Sequence, residues 1–339
     1  MNINDNINTN IIKYLNTIGF ININFNKFIE LSNNNLDFYN FIKNNISNVK
    51  TSTNNKLITY FDNNKTIEVQ RKKLILLKDY NNIYRAYNEN YGDCILCTKK
   101  NGQFNTDILQ NYLHGVIYFY QMTFLKDKTI IPKLYYTGYN NNNKTIYNLI
   151  ENFDGTLSNL LRDKDVTKFF NKEFFLEILF QLSSNLKLLQ NKIQFTHNDL
   201  RVDNIFYKKK NNGPISKDNI IIQIGNFKTS RFTIDNIDYH GNIKKINDLN
   251  RDILFRKGTD ILYFFLMFLK IISGLVISCI QQKRREHYKL IYSEIKNIFN
   301  KIRRQSDIYF ECFPFSHLTD DDLHQEFWPE TILDKLNIL

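Results

Sequence analysis

Cysteine, proline and glycine are scarce: the 339 residues include four Cys, four Pro and 11 Gly. So few cysteines in a chain of this length exclude a small domain stapled by disulfides. The first residues, Met1 to Asp5, are polar and do not begin a signal-peptide pattern, so we expect an intracellular protein in a reducing compartment. The length allows one large domain or two lobes with a hydrophobic core.

Acidic residues are also in deficit, with 34 Asp and Glu against 45 Lys and Arg, which gives a net charge of +11. This balance excludes an acidic, solvating protein and suits anionic partners such as nucleotides, nucleic acid or acidic membrane surfaces, without choosing among them. The basic run Lys283–Lys289, with Arg303-Arg304 beyond it, is more often a solvated helix face than a nucleic-acid patch. Nucleic acid is therefore not an expected partner.

The chain divides into three parts, residues 1–65, 66–151 and 152–339. The first part is an Asn-rich extension that is partly helical, with an amphipathic helix predicted near Asn26–Ile46. In the second part, short apolar runs between polar turns predict a β-rich lobe with one helix, at Asp107–Leu125. The predicted strands cover Leu74–Leu77, Ile83–Tyr87, Cys94–Thr98, Lys133–Thr137 and Thr145–Glu151.

The third part, residues 152–339, is mostly helical, because apolar residues recur there at helical spacing. The predicted helices cover Thr156–Arg162, Phe174–Asn191, Asp260–Ile280 and Ile291–Ile302, and two strands are predicted at Asn204–Tyr207 and Ile220–Ile224. A β-rich lobe followed by a helix-rich lobe is an α+β arrangement.

The apolar run Ile261–Ile280 is long enough to span a bilayer. Lys270 lies near its middle, where a cation is costly in lipid, and Asp260 precedes it. A helix buried at the centre of a large helical lobe is also apolar on all sides. We therefore expect a core helix and no membrane span.

The segment from His197 to Asn204 has the strongest pattern of chemically useful residues. Asp199 and Asn204 lie five positions apart between an apolar helix and a strand, so both can face one site. A carboxylate can accept a hydroxyl proton, and an amide oxygen can bind Mg²⁺. In an Asn-rich chain an ordinary polar loop is the alternative.

Three weaker signals accompany this segment, and their order along the chain makes them informative. Lys99-Lys100 ends a predicted strand and could contact phosphate. Ile150–Leu157 is a strand that breaks into a helix start, and Ile222–Lys228 is a strand that ends in a polar residue and an aromatic residue.

In this order the motifs over residues 66–339 resemble the eukaryotic-type protein kinase superfamily. The bias toward Asn, Ile, Lys and Tyr makes the chain similar to divergent Ser/Thr protein kinases of large AT-rich DNA viruses. The resemblance implies a bilobal fold with a β-rich N-lobe, residues 66–151, and a helical C-lobe, residues 152–339. For a viral protein, the host cytoplasm is the expected location.

The resemblance also implies roles for individual residues. Asp199 would be the catalytic base, and Arg201 would take the place of a phosphate-neutralising Lys. Asn204 and Asn226 would hold Mg²⁺. Asp260 would anchor the catalytic loop.

ATP is the second cofactor that the resemblance implies. Lys99 would contact its phosphates, with Lys100 as the rival, and Ile150, Glu151 and Phe153 would line the adenine site. The expected partner is a protein, either a substrate or a regulated protein.

Several positions depart from the kinase pattern. Residues 78–86, where phosphates are normally covered by a Gly-rich loop, contain no glycine. No Glu occurs between Lys99 and Glu151, and Val116 stands at about the position where the family has one. Asn226 replaces a metal-binding Asp, and Asn198 replaces the Arg that reads a phosphorylated loop.

Four hypotheses about function follow. The first is a Ser/Thr protein kinase with a degenerate and impaired active site, which transfers the γ-phosphate of ATP to a protein hydroxyl. The second is a pseudokinase that acts as a binding or regulatory module. A small-molecule kinase of the choline or aminoglycoside type, and a nucleic-acid-binding module that rests on charge alone, are weaker alternatives.

Overall fold

The computed structural model divides the chain into two compact units. Unit 1 contains Met1–Phe153 and Asn226–Lys228, and unit 2 contains Asp154–Gly225 and Thr229–Leu339. The residues that the structure describes are 3–21, 23, 41, 44–52, 57–62, 65–78, 81–100, 104–125, 129–234, 236–241, 257–302, 325 and 327–336.

A closed barrel of seven strands forms the centre of unit 1, with strand order β1-β2-β3-β4-β5-β7-β6. The strands are β1 (Asn48–Thr51), β2 (Leu57–Asp62), β3 (Lys65–Lys78), β4 (Asn81–Asn88), β5 (Gly92–Lys100), β6 (Leu134–Asn140) and β7 (Thr145–Glu151). Antiparallel pairs connect neighbours in the barrel except at the closure, where β1 pairs with β6 in parallel at Asn48 and Tyr139. All five strands predicted from apolar runs are confirmed, inside β3, β4, β5, β6 and β7.

Alternation along the strands places one row of apolar side chains inside the barrel. This row includes Val49, Ile58, Tyr60, Ile67, Val69, Ala86, Cys94, Leu96, Tyr136, Tyr147 and Leu149. A Cβ at Gly138 would lie 2.3 Å from Cγ2 of Val49. Glycine therefore permits β6 to approach β1 closely enough to close the barrel.

Among the described residues of unit 1, two helices accompany the barrel, namely α1 (Ile3–Thr17) and α2 (Phe104–Tyr120), and α2 continues into a π-helical turn at Gln121–Leu125. The predicted helix over Asp107–Leu125 is confirmed. A Cβ at Gly115 of α2 would lie within 3 Å of side-chain atoms of Leu15 and Ile18. This close approach packs the end of α1 against α2.

Residues 1–65 contribute more to the fold than a helical extension would. Besides α1, their described part contains β1 and β2, which belong to the same barrel as the strands of residues 66–151. The helix predicted near Asn26–Ile46 lies almost entirely outside the described residues.

Helices dominate unit 2. They are α3 (Leu157–Leu161), α4 (Val166–Phe169), α5 (Lys172–Ile193), α6 (Thr259–Ser278), α7 (Gln282–Ile302) and α8 (Pro329–Lys335). Its strands are β8 (Gly155–Thr156), β9 (Ile205–Lys209) and β10 (Ile220–Ile224) in one sheet, and β11 (Arg231–Ile234) with β12 (Ile237–His240) in a hairpin. The α+β class is as expected from the sequence.

Aromatic side chains from three helices form the core of unit 2. The ring of Phe175 on α5 lies 4.9 Å from the ring of Phe268 on α6, and Phe265 on α6 lies 5.6 Å from Phe299 on α7. Such offset and edge contacts add to the free energy gained by burying the rings. Helix α6 thus lies between α5 and α7 through its first half.

Helix α6 is also the one described helix that is long and apolar enough to cross a membrane, by length and composition only. Its mean hydropathy over 18 residues is 2.2, and 39% of that window is buried within the protein. The buried residues lie between Asp260 and Ile272, as expected of a core helix over this part of its length.

Candidate functional site

The segment Thr196–Asn204 of unit 2, which we call the Asp199 loop, is held by a carboxylate from α6. Asp260 is fully buried, and its two oxygens accept the backbone N–H groups of His197 at 2.8 Å and Asn198 at 2.9 Å. Because buried N–H groups are costly without an acceptor, this one side chain determines the path of the loop. The anchoring role that the resemblance implies for Asp260 agrees with these contacts.

His197 connects the Asp199 loop to the end of strand β10. Its Nδ1 accepts the backbone N–H of Asp199 at 3.3 Å, and its Nε2 lies 2.9 Å from the carbonyl oxygen of Gly225. Since Nδ1 accepts, the ring proton lies on Nε2 and is donated to that carbonyl. The completely buried ring therefore makes the contacts of a structural anchor.

Asn198, which the resemblance matches to an arginine, bonds to the backbone. Its φ is 61°, a left-handed conformation that Asn tolerates better than most residues. Its side-chain N–H donates to the carbonyl oxygen of Thr229 at 3.0 Å, and the Thr229 hydroxyl donates to the carbonyl oxygen of His197 at 3.1 Å. The loop and the segment after β10 are thus connected by neutral groups.

The carboxylate of Asp199 accepts hydrogen bonds at both of its oxygens. Oδ2 lies 2.8 Å from a guanidinium nitrogen of Arg201 and 3.1 Å from the side-chain nitrogen of Asn204. Oδ1 accepts the hydroxyl of Tyr263 at 3.4 Å. The side chain of Asp199 is 18% exposed, so solvent can still reach it.

Tyr263 is the residue of this site that the sequence did not indicate. It lies three positions after Asp260, about one turn further along α6, so it faces the same direction. The spacing from the predicted anchor was the signal that could have identified it.

The orientation of Asn204 is determined by Asp199. The side-chain nitrogen of Asn204 also donates to the backbone carbonyl oxygen of Asp199 at 2.7 Å. Since the nitrogen faces Asp199, the amide oxygen is the atom that would act as a metal ligand. Asn204 lies in a single 3-10 turn, Val202–Asn204, directly before β9.

Arg201 carries a positive charge directly beside Asp199. Burial acts to lower the pKa of Arg201, but the charge of Asp199 and its hydrogen bond outweigh burial and raise that pKa above its ordinary value. The pair is partly exposed, so it contributes little to stability.

Gly225 places the chain just before Asn226 against the Asp199 loop. Its N–H donates to the carbonyl oxygen of Asn204 at 2.9 Å. A Cβ at Gly225 would lie 2.1 Å from the ring of Phe206, so the backbone can pass here only without a side chain. Asn226, the next residue in sequence, has φ of 66° and belongs to unit 1.

Within unit 1, Lys99 at the end of β5 contacts a residue of α2. Its Nζ donates to the side-chain oxygen of Gln110 at 3.2 Å. Val116, which stands at about the position where the resemblance would put a Glu, is completely buried, and Gln110 lies beside Lys99. The side chain of Lys100 is outside the described residues.

The end of β7 is tied to the segment before β6. The backbone N–H of Glu151 donates to the carbonyl oxygen of Lys133 at 2.8 Å, and its carboxylate accepts the N–H of Lys133 at 3.1 Å. Ile150 and Phe153 are buried in unit 1, with 8% and 7% exposure. The resemblance assigns Ile150, Glu151 and Phe153 to an adenine site, and this assignment stays a prediction.

The oxygen atoms available near Asn204 are of the type that binds a magnesium ion, but they offer little negative charge. Within the described part of the chain, no group of three or more His, Cys, Asp and Glu side chains could hold a metal. Amide oxygens such as that of Asn204 are hard donors, as Mg²⁺ prefers, but they are neutral. A magnesium ion held by these amides would need most of its compensating charge from another ligand.

Comparison with known proteins gives a likeness in fold. No protein-family model and no curated protein matches the sequence. Among solved structures, the chain is similar to vaccinia related kinase 3, with 12% identity and a TM-score of 0.48, over 85% of this chain and 88% of that chain. It is also similar to the BubR1 kinase domain, with 14% identity and a TM-score of 0.41, over 61% of this chain and 60% of that chain.

Proposed function

We propose that the chain is a protein-kinase-like phosphotransferase that transfers the γ-phosphate of ATP to a Ser or Thr hydroxyl of a protein. The observation that supports this most directly is the Asp199 loop. There a half-exposed cation and an amide converge on one oxygen of a carboxylate, and a buried Asp260 holds the loop by its backbone.

In this proposal, Asp199 orients the acceptor hydroxyl and receives its proton. Arg201 stabilises the negative charge that develops on the transferred phosphoryl group, since its guanidinium is already fixed beside Asp199. Bound Mg²⁺ would neutralise phosphate charge, held by the amide oxygens of Asn204 and, by resemblance, Asn226.

The proposed contacts to ATP lie in unit 1. Lys99 is proposed to bind phosphate, and Ile150, Glu151 and Phe153 to bind adenine. These four assignments rest on the resemblance alone.

The experiment that tests this proposal is phosphotransfer from labelled ATP by the purified full chain, with Mg²⁺ and a mixture of Ser- and Thr-containing peptides. Asp199→Asn keeps the shape of the side chain and removes the base. We expect a loss of about 10²–10⁴-fold, the usual contribution of a general base. Equal activity of Asp199→Asn and the parent chain would contradict the proposal.

A pseudokinase that binds a nucleotide or a protein partner without catalysis is the second candidate. The observation that favours it is the absence of Glu between Lys99 and Glu151 in the sequence, because the family pairs that lysine with a carboxylate. Asn226, which is neutral where a metal-binding Asp is usual, favours it too.

Thermal unfolding with ATP, with and without Mg²⁺, separates the two candidates. A working site predicts stabilisation that depends on Mg²⁺, about 2.7 kcal/mol when the ligand is at 100 times its Kd. Stabilisation by ATP that is the same without Mg²⁺, together with no phosphotransfer, would favour the binding module.

A further inference from the structure

Helix α6 changes character along its length. Its buried residues end at Ile272, whereas Lys270, Gly274 and Ile277 are exposed at spacings of four and three. These spacings place the three residues on one face of the helix. A Cβ at Gly274 would meet no atom of the described residues within 4 Å, so they leave this face open.

Two large aliphatic side chains protrude where α6 ends. Ile277 is 79% exposed and Ile280 is 91% exposed, the highest values among the large apolar side chains of the described residues. A single exposed aliphatic residue is ordinary on a protein surface. Two highly exposed isoleucines three positions apart form an apolar protrusion. We call residues 270–285 the α6–α7 corner.

The charge of the corner has one sign. No Asp or Glu occurs between Ile261 and Arg285, while Lys270, Lys283, Arg284 and Arg285 are basic. Lys283 is exposed at the start of α7. Glu286, the first acid after the corner, pairs with Lys289 at 2.8 Å, so the isoleucines have a net excess of cations beside them.

The corner is also held in shape by two of its arginines. Arg284 donates to the carbonyl oxygens of Arg162 and Asp163 at 2.6 and 2.7 Å, and Arg285 donates to the carbonyl oxygen of Cys279 at 2.8 Å. These bonds fix the turn between α6 and α7. The protrusion is thus a preformed surface, which lowers the entropy cost of docking.

We propose that the α6–α7 corner docks on the surface of a membrane that contains anionic phospholipids. Ile277 and Ile280 enter the boundary between headgroups and acyl chains, and Lys270 and Lys283 contact the headgroup phosphates. Apolar insertion combined with a basic border is the pattern of peripheral membrane binding. The inference is independent of the proposed phosphotransfer.

The first half of α6 is the reason that we expect the corner to dock on the membrane surface and not α6 to cross the membrane. Asp260 is fully buried with two backbone N–H groups on its carboxylate, and Phe264 and Phe268 are completely buried in unit 2. Insertion of the whole helix into lipid would break these contacts. Only the exposed end of α6 can enter a membrane while the fold stays intact.

Co-sedimentation of the full chain with vesicles tests the proposal. The vesicles contain either phosphatidylcholine alone or phosphatidylcholine with phosphatidylserine. We expect binding to the anionic vesicles that weakens as salt is raised. The double variant I277S/I280S should bind these vesicles about tenfold more weakly than the parent chain. Lys283→Gln should lower the affinity for anionic vesicles about fivefold.

Phe180→Ser is the matched control, because Phe180 on α5 is also exposed, at 49%, and lies outside the corner. It should bind vesicles like the parent chain, and all variants should unfold at the same temperature. A lipid monolayer gives a second readout, since only insertion of the isoleucines raises the surface pressure.

Three outcomes would overturn the proposal. The first is the absence of vesicle binding by the parent chain, and the second is equal binding of the parent chain and I277S/I280S. The third is self-association in light scattering that I277S/I280S abolishes without any vesicle binding, which would assign the corner to an interface between two copies of the chain.

Discussion

The Asp199 loop of unit 2 and the surroundings of Lys99 in unit 1 differ in the charge of the groups that form their hydrogen bonds. In the loop, carboxylates are central: Asp260 holds two backbone amides, and Asp199 pairs with Arg201. In unit 1, Lys99 donates to the neutral amide of Gln110. The described bonds of the loop are thus charge-assisted at the carboxylates, and the bond between Asp199 and Arg201, which joins two opposite charges, is stronger than a bond between a cation and a neutral amide oxygen.

The largest effect is expected from Asp260→Ala, which removes the acceptor of two buried N–H groups. We expect the free energy of unfolding to fall by about 3 kcal/mol, because unsatisfied buried donors cost about 1–3 kcal/mol each. Urea unfolding measures the change. Asp165→Ala is the control, since Asp165 forms a surface pair with Lys168 and its removal should leave stability unchanged. If Asp260→Ala lowers the free energy of unfolding no more than Asp165→Ala does, the carboxylate of Asp260 does not anchor the loop.

The second effect concerns a neutral group of unit 1, His114, whose ring contacts the carbonyl oxygen of Pro132 and the ring of Phe227. Burial lowers the pKa of His114 to about 4. Below its ordinary pKa of about 6.5 the unfolded chain binds a proton that the folded chain does not. Stability should therefore fall as the pH drops from about 6.5 to 4, by about 2–3 kcal/mol in total.

His114→Gln keeps a hydrogen-bond donor and cannot titrate. The difference in unfolding free energy between the parent chain and the variant, followed by urea unfolding from pH 7 downward, isolates the histidine from other groups. We expect the stability of the parent chain to fall relative to that of the variant as the pH drops from about 6.5, the ordinary pKa of histidine, to about 4, the pKa of His114 in the folded chain. A difference that does not vary with pH would show that His114 is not held neutral in the folded state.

A third prediction addresses Tyr263, whose hydroxyl donates to Asp199 at 3.4 Å. Tyr263→Phe removes this donor and should lower the free energy of unfolding by about 1 kcal/mol, the usual net value of a hydrogen bond. Tyr292→Phe on α7 is a control for loss of a phenol hydroxyl elsewhere in unit 2. If both variants unfold alike in urea, the contact does not contribute to holding Asp199.

The smallest effect is expected from replacing the neutral side chain of Gln110 with a charged one. Gln110→Glu places a carboxylate beside the half-buried Lys99 and should stabilise the chain by about 0.5 kcal/mol, as partly exposed ion pairs do. A double-mutant cycle with Lys99→Met measures the coupling between the two positions. A coupling energy of zero would mean that Lys99 and position 110 do not interact in solution.

Much of the secondary structure could be predicted from patterns along the chain. Strands such as Cys94–Thr98 and helices such as Phe174–Asn191 have the alternation or helical spacing that burial of one face requires. Strands β1 and β2 were not predicted, because their short segments lie in Asn-rich sequence and are stabilised by pairing with distant strands. Local patterns do not contain that pairing.

For the candidate site, residues within one short loop were predictable and residues from separate elements were not. Asp199 and Asn204 are close in sequence, so their convergence required only a loop. Tyr263 and Gln110 lie 64 and 11 positions from the residues that they contact, and neither belongs to a motif. The resemblance placed Val116 at about the position of the absent Glu, whereas the packing of α2 against the barrel brings Gln110 into contact with Lys99.

The sequence alone determined the α+β composition, the order of the two parts, and the presence of an Asp and an Asn spaced to face one site. These properties follow from apolar periodicity and from short-range geometry, which each segment carries within itself. The tertiary structure alone decided the closure of the barrel, the partner of Lys99, the hydroxyl at Asp199 and the bare end of α6. Such properties depend on which distant surfaces are buried against each other, and burial is decided by the whole fold.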